Sequence, residues 1–202
     1  ATGGLANPAA TQDFSAAYPD ASTASSRGEP VPFGILSTTS LYDQTRAQLV
    51  IPARFLPSKP STMVGLEVFA LESGVVTYTS LRVTVDQLPP GTPLSPTCQT
   101  TLSNRPLGGL LIRRGNVTYQ SRQWTRLPLT STVVYDGQSD LVLDIRKVAV
   151  VSTAAGGTEM GVPSDPERVD LPTMRYALTA NAQTSTRQAT PIKVRPVFSD
   201  AP

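Results

Sequence analysis

Alternation between apolar and polar residues along the middle of the chain predicts β-strands. Within residues 75–88 the even-numbered side chains would lie on one face of a strand, and the odd-numbered ones, from Thr77 to Val85, on the other. Residues 63–71 alternate in part. Residues 140–151 form a long run of aliphatic and β-branched side chains, which favours a central strand.

Glycine and proline turns divide the rest of the chain into shorter strand-like runs. Residues 72–74, Glu-Ser-Gly, are predicted to form a short hairpin turn between the runs at residues 63–71 and 75–88. The chain shows no long helical period, no fixed repeat and no heptad pattern. Roughly nine or ten strands at this spacing predict an all-β fold, an antiparallel β-sandwich. The further runs are residues 44–51, 107–113, 116–120, 123–129, 132–135, 174–179 and 192–198.

The two ends of the chain lack this alternation. Residues 1–32 are mostly Ala, Ser, Thr, Pro and Gly, and they predict an extended N-terminal arm. Residues 33–202 are expected to form the sandwich domain, with a long loop over residues 152–172 of the kind that commonly makes contacts. The candidate assembly contacts are the aromatic residues of the arm and the one that follows it: Phe14, Tyr18 and Phe33.

Charge and residue types exclude several classes of function. The 17 basic and 15 acidic residues are scattered, so the chain lacks the basic patch of a nucleic-acid-binding protein. No stretch reaches about 18 consecutive apolar residues, so no membrane-spanning segment is expected. The absence of histidine removes Ser-His-Asp and Cys-His nucleophile systems and histidine zinc sites. No phosphate-binding or dinucleotide fingerprint is present, and we expect neither an enzyme nor a cofactor.

Composition favours an extracellular or cell-surface protein. Charged residues make up 16% of the chain, compared with about 25% in typical domains. The first residues, Ala1-Thr2-Gly3-Gly4, fit the end left by removal of a signal peptide, and removal of an initiator methionine is the alternative. The single cysteine, Cys98, is expected to be a small buried hydrophobe, with an intermolecular disulfide or a reactive thiol as alternatives.

Three aspartates around one predicted turn form a candidate calcium site. Asp136, Asp140 and Asp144 recur every four residues, and calcium prefers carboxylate and carbonyl oxygens. The alternative is structural, because Asp136-Gly137 is a turn signal and Asp140 would cap or edge the strand that follows.

Three aromatic residues are candidate ligand contacts. Trp124, Tyr119 and Tyr135 could provide a platform on which a sugar ring stacks. Since aromatic residues make up only 6% of the chain, packing in the core is the competing interpretation.

Four motifs occupy the segment from Leu49 to Ile145: LVIPARFLP (49–57), YTSLRV (78–83), WTRLPL (124–129) and YDGQSDLVLDI (135–145). Together they resemble the jelly-roll-type β-sandwich domains of secreted bacterial surface proteins. The resemblance implies a jelly-roll-like fold, with Trp124 closing one end of the core, and an extracellular setting. It implies no single activity.

These features lead to three alternative functions. An extended arm can add to the exposed sheet edge of another copy, which predicts a self-assembling structural subunit of an extracellular fibre, appendage or surface layer. A carbohydrate-binding or adhesive module is the second possibility, with glycans as partners. A jelly-roll capsid or decoration subunit is the third.

Overall fold

Nine β-strands and a short 3₁₀ turn, Ala53–Phe55, make up the regular structure of the described residues, which contain no α-helix. The computed structural model describes residues 33–34, 43–70, 73–92, 111–154, 174–181, 187–189 and 194–200. Phe14, Tyr18, Cys98 and most of the expected loop 152–172 lie outside them. The strands are β1 (Gln44–Ile51), β2 (Ser61–Ala70), β3 (Gly74–Leu88), β4 (Leu111–Tyr119), β5 (Gln123–Tyr135), β6 (Asp140–Ala154), β7 (Met174–Ala177), β8 (Arg187–Ala189) and β9 (Val194–Asp200).

The strands form two antiparallel sheets, which confirms the expected all-β class. The large sheet has the order β4-β3-β6-β1-β7-β8, and the small sheet has the order β5-β2-β9. Strand β6 pairs with β3 on one side and with β1 on the other. The long aliphatic run therefore occupies the central position expected of it.

One hydrophobic cluster contains residues from both sheets. Leu49 of β1 and Leu143 of β6 belong to it, as do Met63 of β2 and Val133 of β5. Burying a large aliphatic side chain contributes roughly 1.5–3 kcal/mol, so this shared cluster is the main apolar source of stability. Phe33 belongs to the same cluster.

Strand β3 departs from the predicted alternation. Tyr78 and Leu81 both lie in the core. In a regular strand an even-numbered and an odd-numbered residue would face opposite sides of the sheet. The register against β6 and β4 shifts directly after Tyr78. A β-bulge inserts an extra residue and thereby moves the following side chains to the other face. The expectation of two uniform faces along residues 75–88 was therefore wrong.

Two local predictions were also wrong, and one strand was not predicted. The predicted hairpin would pair the strands on either side of residues 72–74, but β2 lies in the small sheet and β3 in the large one. The expected break near Gly115 is absent, since β4 runs continuously through this glycine at φ +95°. Strand β8 was not foreseen, because its three residues are too few to show a period.

The turn between β5 and β6 is held by Asp136. Its Oδ1 accepts hydrogen bonds from the backbone N–H groups of Gln138 and Ser139, both at 2.8 Å, and its Oδ2 accepts one from Ser139 Oγ at 2.6 Å. Burial disfavours the charged carboxylate, but the hydrogen bonds from Ser139 and Gln138 outweigh it and lower the pKa of Asp136. Gly137 follows at φ +82°, in the left-handed region that favours glycine.

We expect Gly137→Ala to destabilise the protein more than Gly115→Ala. Both glycines have positive φ, which should cost roughly 1–2 kcal/mol for alanine. A Cβ at Gly137 would also lie 2.6 Å from the carbonyl carbon of Lys59, whereas one at Gly115 would meet nothing within 4 Å. The forced backbone shift should add roughly 1–3 kcal/mol at Gly137. Urea unfolding of both variants measures the difference, and equal losses would contradict a tight contact with Lys59.

Candidate functional site

Phe33 and Gly34, here called the anchor segment, directly follow the predicted arm. The Phe33 side chain is fully buried in the shared core, with 0% exposure. Its carbonyl oxygen accepts a hydrogen bond of 2.5 Å from the Tyr78 hydroxyl, which lies 2.6 Å from the Tyr119 hydroxyl. The anchor segment is therefore held both by apolar burial and by directed hydrogen bonds.

Lys147 holds the second carbonyl of the anchor segment. It lies on β6 in phase with the core residues Leu143 and Ile145, and it has 0% exposure. Its Nζ donates a hydrogen bond to the carbonyl oxygen of Gly34. A buried ammonium group is costly unless it is paired, so this contact gives a polar partner to an otherwise unfavourable core residue.

Two ionisable side chains that bind the anchor segment, Lys147 and Tyr78, have shifted pKa values. Burial lowers the pKa of Lys147 from 10.5 to about 7, against the opposing effect of the Asp43 carboxylate. Burial, followed by the neighbouring Tyr119 hydroxyl, raises the pKa of Tyr78 well above 10.0, so this hydroxyl stays a neutral donor. Within the described residues, Asp43 Oδ1 and Thr45 Oγ1 are buried atoms without a hydrogen-bond partner.

The arrangement around the anchor segment can bind a short piece of backbone. Apolar residues receive the Phe33 ring, and the Tyr78 and Lys147 side chains donate to two successive carbonyls. Sequence reasoning identified Phe33 but missed its two donors. The available signal was the parity of Lys147, which matches the apolar positions of β6 rather than its polar ones.

The three aspartates proposed for calcium are each bound by separate protein groups. Asp140 is 1% exposed and accepts hydrogen bonds from the backbone N–H of Ala53 at 2.8 Å and of Gly91 at 2.9 Å. Asp136 holds its own turn, as described above. Across the described part of the chain, no three acidic or cysteine side chains are grouped as a metal site would require.

Asp144 belongs to a buried ion pair on the face of the large sheet that points away from the shared core. Its Oδ1 accepts from Arg46 Nε at 3.1 Å, and its Oδ2 accepts from the second arm of Arg46 and from Gln48 Nε2 at 3.0 Å. Arg146 Nε lies 3.5 Å from Oδ1. Such fork-shaped arginine–carboxylate pairs are the stronger class of charged hydrogen bond.

The three aromatic candidates do not form one platform. Tyr119 and Tyr135 are buried in the core, with exposures of 1% and 0%, and the Tyr135 hydroxyl donates to the carbonyl of Ser139 at 2.8 Å. Trp124 lies on the opposite face of the small sheet, paired with Phe69 across the strands. It does not close the core, because its parity in β5 opposes that of the core residue Leu127.

Comparisons with known proteins found no match among family models, curated proteins or solved structures. The resemblance to secreted bacterial β-sandwich domains therefore stays a prediction. No helix long and apolar enough to cross a membrane occurs within the described ranges.

Proposed function

We propose that the protein is a structural subunit of an extracellular fibre, appendage or surface assembly, in which copies are joined by exchange of the N-terminal arm. One observation carries the proposal: directly after the predicted arm, the Phe33 side chain is buried in the core, and Tyr78 and Lys147 bind the carbonyls of Phe33 and Gly34. A domain this size can bury a core without help from a preceding arm, so burial of the residue that directly follows the predicted arm would tether that arm to the core and supports a role in assembly.

The binding site for the anchor segment does not require that the segment come from the same chain. Phe33 lies 45 residues from Tyr78, and Gly34 lies 113 residues from Lys147. All the contacts are therefore between distant parts of the chain, and a second copy offers the same donors and the same apolar cluster. Domain swapping exchanges such elements at low cost, and a head-to-tail exchange that does not close gives a filament.

The two sheets form the domain that would receive the anchor segment of another copy. We infer that they pack face to face as a jelly-roll-like sandwich, because they share one hydrophobic cluster and the chain crosses between them repeatedly. The low charge of the sequence supports an extracellular or cell-surface location, and the absence of histidine supports a non-catalytic role. A capsid or decoration role would instead produce closed particles.

The Phe33→Ala variant tests the proposal, and Phe55→Ala is its control. Phe55 is only partly buried, packs at the margin of the cluster and contacts Arg54. We expect the wild type and Phe55→Ala to form large assemblies by multi-angle light scattering, and Phe33→Ala to be mainly monomeric, because the arm loses its apolar contact. Circular dichroism checks folding, and Tyr78→Phe, which removes a single hydroxyl, should weaken assembly without loss of the fold.

Two results would overturn arm exchange. One is a wild-type chain that stays monomeric across the accessible concentration range. The other is a folded Phe33→Ala variant that assembles to the same mass as the wild type.

A further inference from the structure

The outward face of the small sheet carries a compact group of aromatic and charged residues. Glu67 of β2 lies between Arg126 of β5 and Arg195 of β9, and the neighbouring row places Phe69 of β2 opposite Trp124 of β5. Residues opposite one another in an antiparallel pair share a face. We call these five residues the aromatic–arginine face.

Arg195 packs against the indole of Trp124. Its Nε donates to Glu67 Oε2 at 2.6 Å, and its guanidinium carbon lies 4.6 Å from the centroid of the Trp124 ring. Phe69 packs edge-on against the same indole, with centroids 5.3 Å apart and an interplanar angle of 75°. A ring held by a hydrogen-bonded arginine and a neighbouring aromatic loses little further freedom when a ligand binds.

Arg126 adds an exposed positive charge to the same face. Its side chain passes over Gly65, where a Cβ would lie 3.4 Å from Arg126 Nε. The facing carboxylate, Glu67, is engaged by Arg195. Within the described ranges no carboxylate lies within ion-pair distance of Arg126. Two arginines therefore share one glutamate across this row, and the row is left with net positive charge.

We propose that the aromatic–arginine face binds an acidic polysaccharide, with Trp124 contacting the sugar ring and Arg126 pairing with its carboxylate. Arg195 lies over one face of the indole, so a sugar would contact the other face, whose electron density attracts the positively polarised C–H groups of a sugar ring. A guanidinium group matches a carboxylate in charge and in its two-pronged geometry. Trp124 is partly exposed and Arg126 is exposed, so both are available to a ligand.

This site is independent of the anchor segment. The aromatic–arginine face lies on the outward side of the small sheet, whereas Phe33 lies in the core that the sheets share. A chain that fails to assemble can therefore still bind a polysaccharide, and a chain that assembles can fail to bind one. Assembly and polysaccharide binding can therefore be tested independently.

Calorimetric titration of the full chain with polygalacturonate tests the proposal. We expect saturable binding that weakens at least tenfold in Arg126→Gln and in Trp124→Ala, and that is unchanged in Arg114→Gln. Arg114 is a matched control, because it is an exposed arginine on β4 of the large sheet. Trp124→Phe, with thermal melts of every variant, separates loss of the ring contact from loss of the fold.

Neutral and non-sugar polymers define the ligand class. Dextran should bind much more weakly than polygalacturonate, since it lacks the carboxylate, and polyglutamate should bind much more weakly, since it lacks the sugar ring. The proposal is overturned by absence of polygalacturonate binding, by equal binding of either control polymer, or by an Arg126→Gln variant that binds as tightly as the wild type.

Discussion

Asp144→Ala is expected to lower the free energy of unfolding by about 3–5 kcal/mol, which is the range for removing one partner of a buried ion pair. Arg46 has 0% exposure and donates two hydrogen bonds to this carboxylate. Without Asp144 the buried guanidinium loses this carboxylate as a counter-ion. Gln48 also loses the hydrogen bond from its amide to Asp144. Urea unfolding at neutral pH measures the loss.

Two further variants separate the loss of a buried ion pair from the loss of an exposed charge. Arg146→Gln removes a cation that is 32% exposed and 3.5 Å from Asp144, so it should cost less than about 1 kcal/mol. The double variant Arg46→Met, Asp144→Leu should recover most of the Asp144→Ala loss, because it replaces both buried charges of the pair by apolar side chains. A loss in Asp144→Ala no larger than that in Arg146→Gln would contradict a buried, structurally important pair.

The second large effect is a rise of stability with pH that depends on Lys147. Its pKa is about 7 in the folded protein, compared with 10.5 as its ordinary value. Between these values the unfolded chain binds a proton that the folded chain has released, so the free energy of unfolding rises with pH. The slope is at most about 1.4 kcal/mol per pH unit. Below pH 7 both states are protonated, and Lys147 contributes no slope.

The tyrosines limit this rise at alkaline pH. The pKa of Tyr135 is raised from 10.0 to about 12, chiefly by burial, and that of Tyr78 is raised as well. Above pH 10 the unfolded chain loses protons that the folded chain keeps, so stability falls again. Denaturant unfolding should therefore show a maximum near pH 10. Lys147→Met should remove the rise from pH 7, and a rise that persists in this variant would contradict the assignment to Lys147.

The parts of the fold that follow from local pattern were predictable. Strand β6 was placed at the centre of a sheet because its aliphatic run is long, and β1 was recognised from residues 44–51. In both strands the residues that face the core alternate with residues of the other face, so the period of two is visible in the sequence.

The parts that depend on pairing between distant strands were not predictable. A bulge after Tyr78 changes which face of β3 is buried, and nothing in the local pattern marks it. The resemblance to jelly-roll domains implied that Trp124 closes one end of the core. In the structure Trp124 lies on the face of β5 opposite to that of the core residue Leu127. The partners of Lys147 and Arg46 lie 113 and 98 residues away along the chain, so no local motif connects them.

The same reasoning applies to the candidate site. Phe33 was named as a candidate contact because it is an aromatic residue directly after a segment poor in apolar residues, and the structure places it in the core. The arm itself, residues 1–32, stays a prediction. The donors that bind the backbone of the anchor segment were not identified. The position of Lys147 among the apolar residues of β6 shows only that its side chain faces the core, and neither Lys147 nor Tyr78 shows from the sequence which segment it contacts.

The most direct test of arm exchange is an electron cryo-microscopy structure of the assembled full-length chain. The decisive feature is the path of the backbone that leads away from the Phe33–Gly34 segment bound to Tyr78 and Lys147. Tracing it shows whether that segment belongs to the same copy as Tyr78 and Lys147 or to a neighbouring one. Arm exchange predicts that this path leads to a neighbouring copy and that the copies form an open filament. A path that returns to the same copy in every subunit would contradict it.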